Sequence, residues 1–173
     1  MSMKKTSTKN PSMSVFTVLR VAAMAAGVIG TLLALWLSVA GVSGLTYGIQ
    51  ERQADMIAAC VTGLATVLAV SMACWRALIV FMRMVGRLKM GSAFTEENAQ
   101  AMRNIAAMMA VCGAALLTAL VVLTVICCAQ LPFMLLVLGL LGLAFWGVGL
   151  LAYALGLLVR RAADIQQEND LTI

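Results

Sequence analysis

The run Leu135-Leu136-Val137-Leu138-Gly139-Leu140-Leu141 is apolar on every side of a helix, and it lies within an uncharged stretch of 27 residues, 133–159. At 1.5 Å per residue, a helix of roughly 20 residues crosses a hydrocarbon core of about 30 Å. Three further uncharged stretches, 21–40, 56–75 and 105–129, have 20, 20 and 25 residues, and the four together occupy 92 of 173 positions. A membrane barrel would instead show segments of about ten residues alternating apolar and polar, and no such alternation is present. The sequence therefore predicts an all-α, polytopic membrane protein: one four-helix bundle over 1–173, with spans at about 15–44, 55–82, 104–129 and 132–159.

Composition agrees with this reading. Apolar residues make up 63% of the chain and charged residues 11%, where a soluble domain carries about 25% charged and needs them to cover its surface. Histidine is absent, which removes serine–histidine triads, imidazole metal sites and histidine-ligated haem. The five cysteines, Cys60, Cys74, Cys112, Cys127 and Cys128, all fall in apolar stretches and form no C-x-x-C. They are expected to pack as small hydrophobes, and no metal or cofactor is expected. Every acidic residue (Glu51, Asp55, Glu96, Glu97, Asp164, Glu168, Asp170) lies outside the uncharged stretches, so no span offers the buried carboxylate with which a proton- or cation-coupled carrier works. The span hydroxyls Thr31, Ser38, Thr62, Thr66, Ser71, Thr118 and Thr124 are expected to bond back onto their own helices.

Orientation follows from the basic residues. Lys4, Lys5, Lys9 and Arg20 precede the first span, Arg76, Arg83, Arg87, Lys89 and Arg103 flank the middle connection, and Arg160 and Arg161 follow the last span. Only Arg52 lies on the other side, near Glu51 and Asp55. The positive-inside rule then puts both termini and the middle loop in the cytoplasm, with a flexible N-terminus over 1–14, a loop over 87–98 and a tail over 160–173. The first uncharged stretch exceeds the 7–15 residues of a signal peptide's apolar region and is expected to remain as a span. Trp146, at mid-span, is expected to pack rather than to anchor at the interface, and Pro132 suits the first turn of the fourth helix.

Three polar features stand out. On a helical wheel Arg83 and Arg87 lie about 20° either side of Arg76, so helix two, continued past Trp75, carries a basic stripe into the cytoplasm. Ala65, Ala69 and Ala73 continue the same face as a small-residue ladder, which predicts that the stripe looks into the bundle or at a partner. The middle loop Gly91-Ser92-Ala93-Phe94-Thr95-Glu96-Glu97-Asn98 reads as a helix start with Thr95 as N-cap and two carboxylates at the positive end of the dipole. Helix four continues into the cytoplasm through Asp164, Glu168, Asn169 and Asp170, acids toward a helix end that disfavours them. An external cation would relieve this, and the expected pairing is of Asp164, Glu168 or Asp170 with Arg83 or Arg87. The candidate contact residues are thus Arg76, Arg83, Arg87, Phe94, Thr95, Glu96, Asn98, Asp164, Glu168, Asn169 and Asp170.

Gly91 to Asn98, leading into Arg103-Asn104-Ile105-Ala106, and the terminal Gln166-Gln167-Glu168-Asn169-Asp170-Leu171-Thr172-Ile173 resemble the two signature stretches of the bacterial membrane family called domain of unknown function 2975. The spacing and the four-helix order extend the resemblance over most of the chain. One departure is Arg160-Arg161-Ala162-Ala163, where the family tends to have a longer polar, glycine-containing stretch. The resemblance implies a bacterial inner-membrane protein without an established activity, whose relatives are often encoded beside small helix-turn-helix regulators, and hence a component that senses for or sequesters such a regulator. The expectation is a non-enzymatic, partner-binding membrane protein acting through its loop and tail, with a small transporter or channel for a neutral substrate as the alternative. The lipid bilayer is one partner. Direct nucleic-acid binding is not expected, because the basic residues flank the spans beside anionic lipid. Ala65, Ala69, Gly139 and Gly142 leave a homo-oligomer open.

Overall fold

Four helices follow one another along the chain: α1 (Pro11–Gln50), α2 (Ala54–Lys89), α3 (Glu96–Ile126) and α4 (Pro132–Asp170). In this computed structural model the described residues are 11–89, 95–126 and 132–170, with side chains over 15–88, 95–126, 136–165 and 167–168. Each helix holds a segment long and apolar enough to cross a membrane. The chain is thus all-helical with four candidate spans. Pro132 opens α4 as the sequence predicts, since its missing N–H falls where no intrahelical partner exists. α2 and α4 run well past their uncharged stretches, to Lys89 and Asp170, and α3 begins at Glu96, ahead of its uncharged stretch.

The α1–α2 turn is short because α1 ends in a Schellman cap. The Gln53 N–H donates to the Gly48 carbonyl at 2.9 Å and the Arg52 N–H to Ile49 at 3.3 Å. This places Arg52 in the left-handed region at φ 54°, the conformation the motif requires of the residue after the helix end.

The bundle packs strictly in chain order, α1 on α2, α2 on α3 and α3 on α4, and no other pair of helices touches among the described residues. The core accordingly sits along α3, whose buried residues include Ala99, Ala101, Ala106, Met109, Cys112, Gly113, Leu116 and Ala119. Large apolar side chains elsewhere are exposed, among them Trp36, Met72, Leu151 and Val125. This surface fits hydrocarbon rather than water.

Both hairpins are built on glycines spaced by seven or a multiple of seven. On α4, Gly142, Gly149 and Gly156 face α3: a Cβ on Gly156 would lie 3.3 Å from the Ala99 carbonyl oxygen, one on Gly149 3.2 Å from that of Ala106, and one on Gly142 3.1 Å from Leu117. On α1, Gly27, Gly41 and Gly48 meet Leu78, Leu64 and Ile57 in the same descending order. Seven residues are nearly two helical turns, so each set keeps one stripe free of side chains along which an antiparallel neighbour lies close. Trp146 packs across Gly113, the mid-span packing role expected of it.

Between the hairpins, Cys74 of α2 and Cys112 of α3 face each other with sulfurs 3.9 Å apart, and Cys112 lies 3.8 Å from the Val70 carbonyl oxygen. Cys60 packs against Gly44. Cys127 and Cys128 lie outside the described residues. In a variant with Cys60, Cys127 and Cys128 replaced by serine, mild oxidation is expected to close Cys74 to Cys112, since the sulfurs need approach by only about 2 Å to reach bonding distance. Loss of both maleimide-labelling sites in a monomeric band reads this. Two labels surviving oxidation would refute the α2–α3 register.

Candidate functional site

α3 begins where the sequence predicts a cap. The Asn98 N–H lies 3.4 Å from the Thr95 hydroxyl, and backbone bonds from Asn98 and Ala99 to the Thr95 carbonyl close the first turn. Glu96 and Glu97 stand in that turn, where the positive end of the helix dipole favours carboxylates. Asn98 is 2% exposed, so it belongs to the interior at the head of α3 and not to an accessible surface.

The start of α3 lies beside the end of α2, and their side chains line a groove of about 540 Å³ formed by Val80, Arg83, Arg87, Glu96, Glu97, Gln100, Ala101 and Asn104. Arg87 Nη1 donates to Glu97 Oε2 at 2.8 Å, an ion pair half-buried at Arg87 and exposed at Glu97. Such pairs contribute about 0–1 kcal/mol, so this one orients side chains more than it holds the helices together. Gln100 Nε2 lies 3.4 Å from Asn104 Oδ1, leaving further amide capacity at the rim. Two guanidiniums, two carboxylates and two amides thus share one open concavity, able to bind a mixed-charge polar surface.

Of the acids expected to pair with the basic stripe, Asp164 makes no ion pair with it among the described residues: α3 stands between α2 and α4, and Arg87 pairs with Glu97. Of the two directions expected of the stripe, into the bundle or toward a partner, the first is not taken. Ala73 is buried, but Ala65, Ala69, Arg76 and Arg83 are exposed, because α2 packs α1 and α3 on its other two sides. The row of helices does not fold back to cover this face. Asp164 and Glu168 are exposed on the α4 extension with Arg160 and Arg161. Phe94 and the side chains of Asn169 and Asp170 lie outside the described residues.

The groove residues Glu97, Gln100 and Asn104 escape sequence reasoning. Their signal is the i, i+3, i+7 spacing of polar residues along one side of a helix start, masked by the capping role that accounts for the first turn. Among the described residues no group of three or more potential metal ligands occurs. Five of the seven span hydroxyls behave as expected: Thr31, Ser38, Thr62, Thr66 and Thr124 each donate to the carbonyl four residues back at 2.7–2.8 Å, which ties them to their own helices, whereas Ser71 and Thr118 make no such bond among the described residues.

A family model described as "Protein of unknown function (DUF2975)" matches residues 2–173. The chain belongs to this family. The match covers all four helices of this DUF2975 member, the groove and the α4 extension. No curated protein and no solved structure matches the chain.

Proposed function

We propose that this DUF2975 protein is a non-catalytic, multi-pass protein of the bacterial inner membrane, with both termini and the α2–α3 connection in the cytoplasm, that binds a soluble regulatory protein. The observation that carries this reading is the convergence of Arg83, Arg87, Glu96, Glu97, Gln100 and Asn104 on one groove, at the end of the bundle that, among the described residues, also holds Arg20, Arg103, Arg160 and Arg161. Positive-inside bias makes that end cytoplasmic. A surface presenting both signs of charge and two amides suits the polar face of a protein helix better than a small neutral solute. The partner class that family resemblance suggests is a small helix-turn-helix regulator, and the exposed acids of the α4 extension enlarge the available surface. The back-bonded hydroxyls speak against a polar path through the spans.

The test is a crosslinking pull-down of full-length protein from its native membrane, with captured proteins identified by mass. A helix-turn-helix regulator is expected with the unaltered chain. Its capture should fall by about tenfold in Glu96→Lys/Gln100→Ala/Asn104→Ala, the loss of interface contacts together carrying more than about 1.4 kcal/mol. A chain lacking residues 166–173 reports separately on the tail. Unchanged capture by the groove variant, or no such regulator with the full chain, overturns the reading.

A further inference from the structure

A second concavity lies between α1 and α2, lined by Arg20, Met24, Trp75, Leu78, Ile79, Met82 and Arg83, with a volume of about 450 Å³. Its walls are apolar except at one end, where the two arginines stand. Arg20 is brought there by close packing: a Cβ on Gly86 would lie 3.2 Å from Arg20 Nη2, so the guanidinium lies across α2 against the bare face of that glycine. Arg20 Nε is buried without a hydrogen-bond partner among the described residues. Neither Arg20 nor Arg83 belongs to an ion pair there, and no carboxylate lines the cavity. From Arg83 back to Trp75 the groove follows α2 for eight residues, about 12 Å, and crosses the point where the uncharged run of that helix ends at Arg76.

Two unpaired cations above an apolar channel at a membrane boundary match an anionic phospholipid. We propose that this groove binds one, with the phosphate between Arg20 and Arg83 and the upper part of an acyl chain lying against Met24, Leu78 and Met82 above Trp75. Guanidinium suits the phosphate because its fork of N–H donors bonds two oxygens at once. The channel supplies the selectivity that a bare cation lacks, since only a ligand with a hydrocarbon tail fills it. Arg83 also lines the polar groove between α2 and α3, so an occupied lipid site would fix the orientation of a side chain shared by both.

The experiment is native mass spectrometry of the full-length protein in detergent, titrated with phosphatidylglycerol, phosphatidylcholine and glycerol 3-phosphate. A phosphatidylglycerol adduct is expected in excess over phosphatidylcholine, with no competition from glycerol 3-phosphate, which has the anion but no chain. In Arg20→Gln/Arg83→Gln the adduct should weaken by about tenfold or more, each basic residue near a membrane surface contributing roughly 1 kcal/mol. Arg160→Gln/Arg161→Gln removes the same charge elsewhere and should leave it unchanged. Ile79→Trp, which keeps both arginines and obstructs the channel wall, should also lose the adduct, and this readout stands if the double variant fails to fold. Equal weakening in both arginine pairs, an adduct untouched by Ile79→Trp, or competition by glycerol 3-phosphate would overturn the site.

Discussion

Replacing Gly113 with alanine is expected to destabilise the protein by about 1–3 kcal/mol, and with leucine by more, the cost of forcing atoms into a packed interface. A Cβ at this position would overlap the Trp146 ring, coming 2.6 Å from its Nε1, and would lie 2.9 Å from the Gly142 carbonyl oxygen. The ring is rigid and the carbonyl is backbone, so neither can yield as the end of a leucine does. α3 and α4 must move apart, and the buried small residues along α3 lose their contacts together. The thermal midpoint of the detergent-purified protein measures the effect. Trp146→Ala in the same chain should recover only part of the loss, because it removes the ring and leaves the Gly142 carbonyl. Gly30, Gly63 and Gly147 have nothing within 4 Å of a built Cβ, and alanine at any of them should be neutral or stabilising by up to about 1 kcal/mol. If Gly113→Ala behaves like Gly147→Ala, the α3–α4 interface described here is wrong.

The contrast between Gly113 and Gly147 also marks how far the chain could be read without coordinates. Uncharged stretches of 20 to 27 residues determine the number of helices, because in a bilayer core length and apolarity decide almost everything. Helix neighbours are another matter. Every helix here is apolar around its circumference, so hydrophobic periodicity, which tells a soluble helix which side to bury, says little. The informative signal is steric instead: Gly142, Gly149 and Gly156 at a constant interval of seven, and Gly27, Gly41 and Gly48 at multiples of it. The alanine ladder Ala65-Ala69-Ala73 offers a similar signal but marks a helix contact within the chain only at Ala73. Alanine is small enough for an interface and apolar enough for lipid, and only Ala73 is buried. The cap at Thr95 was legible because it is local. The meeting of Cys74 with Cys112, or of Arg87 with Glu97, depends on how α2 lies against α3 and has no mark in either segment alone.

Inserting one alanine between Gly147 and Val148 is expected to be more damaging than inserting seven residues at the same level. A single insertion turns everything beyond it by about 100°, so Val148 and Leu155 arrive where Gly149 and Gly156 stood, against the carbonyls of Ala106 and Ala99, which leave 3.2 and 3.3 Å even for a Cβ. The second half of α4 must then leave α3, with a cost above the roughly 1–3 kcal/mol of an ordinary overpacked site because two such sites are created at once. Duplicating residues 143–149 lengthens α4 by about 10.5 Å yet presents glycine again at both levels, since the copied Gly149 takes the position Gly156 held. The helix turns only about 20° over seven residues, within what side chains can absorb. Thermal midpoints in detergent should therefore rank unaltered chain, seven-residue duplication, one-residue insertion, in that order. A one-residue insertion as stable as the duplication would mean that α4 is held by generic apolar contact, and that its glycines at 142, 149 and 156 do not specify how it meets α3.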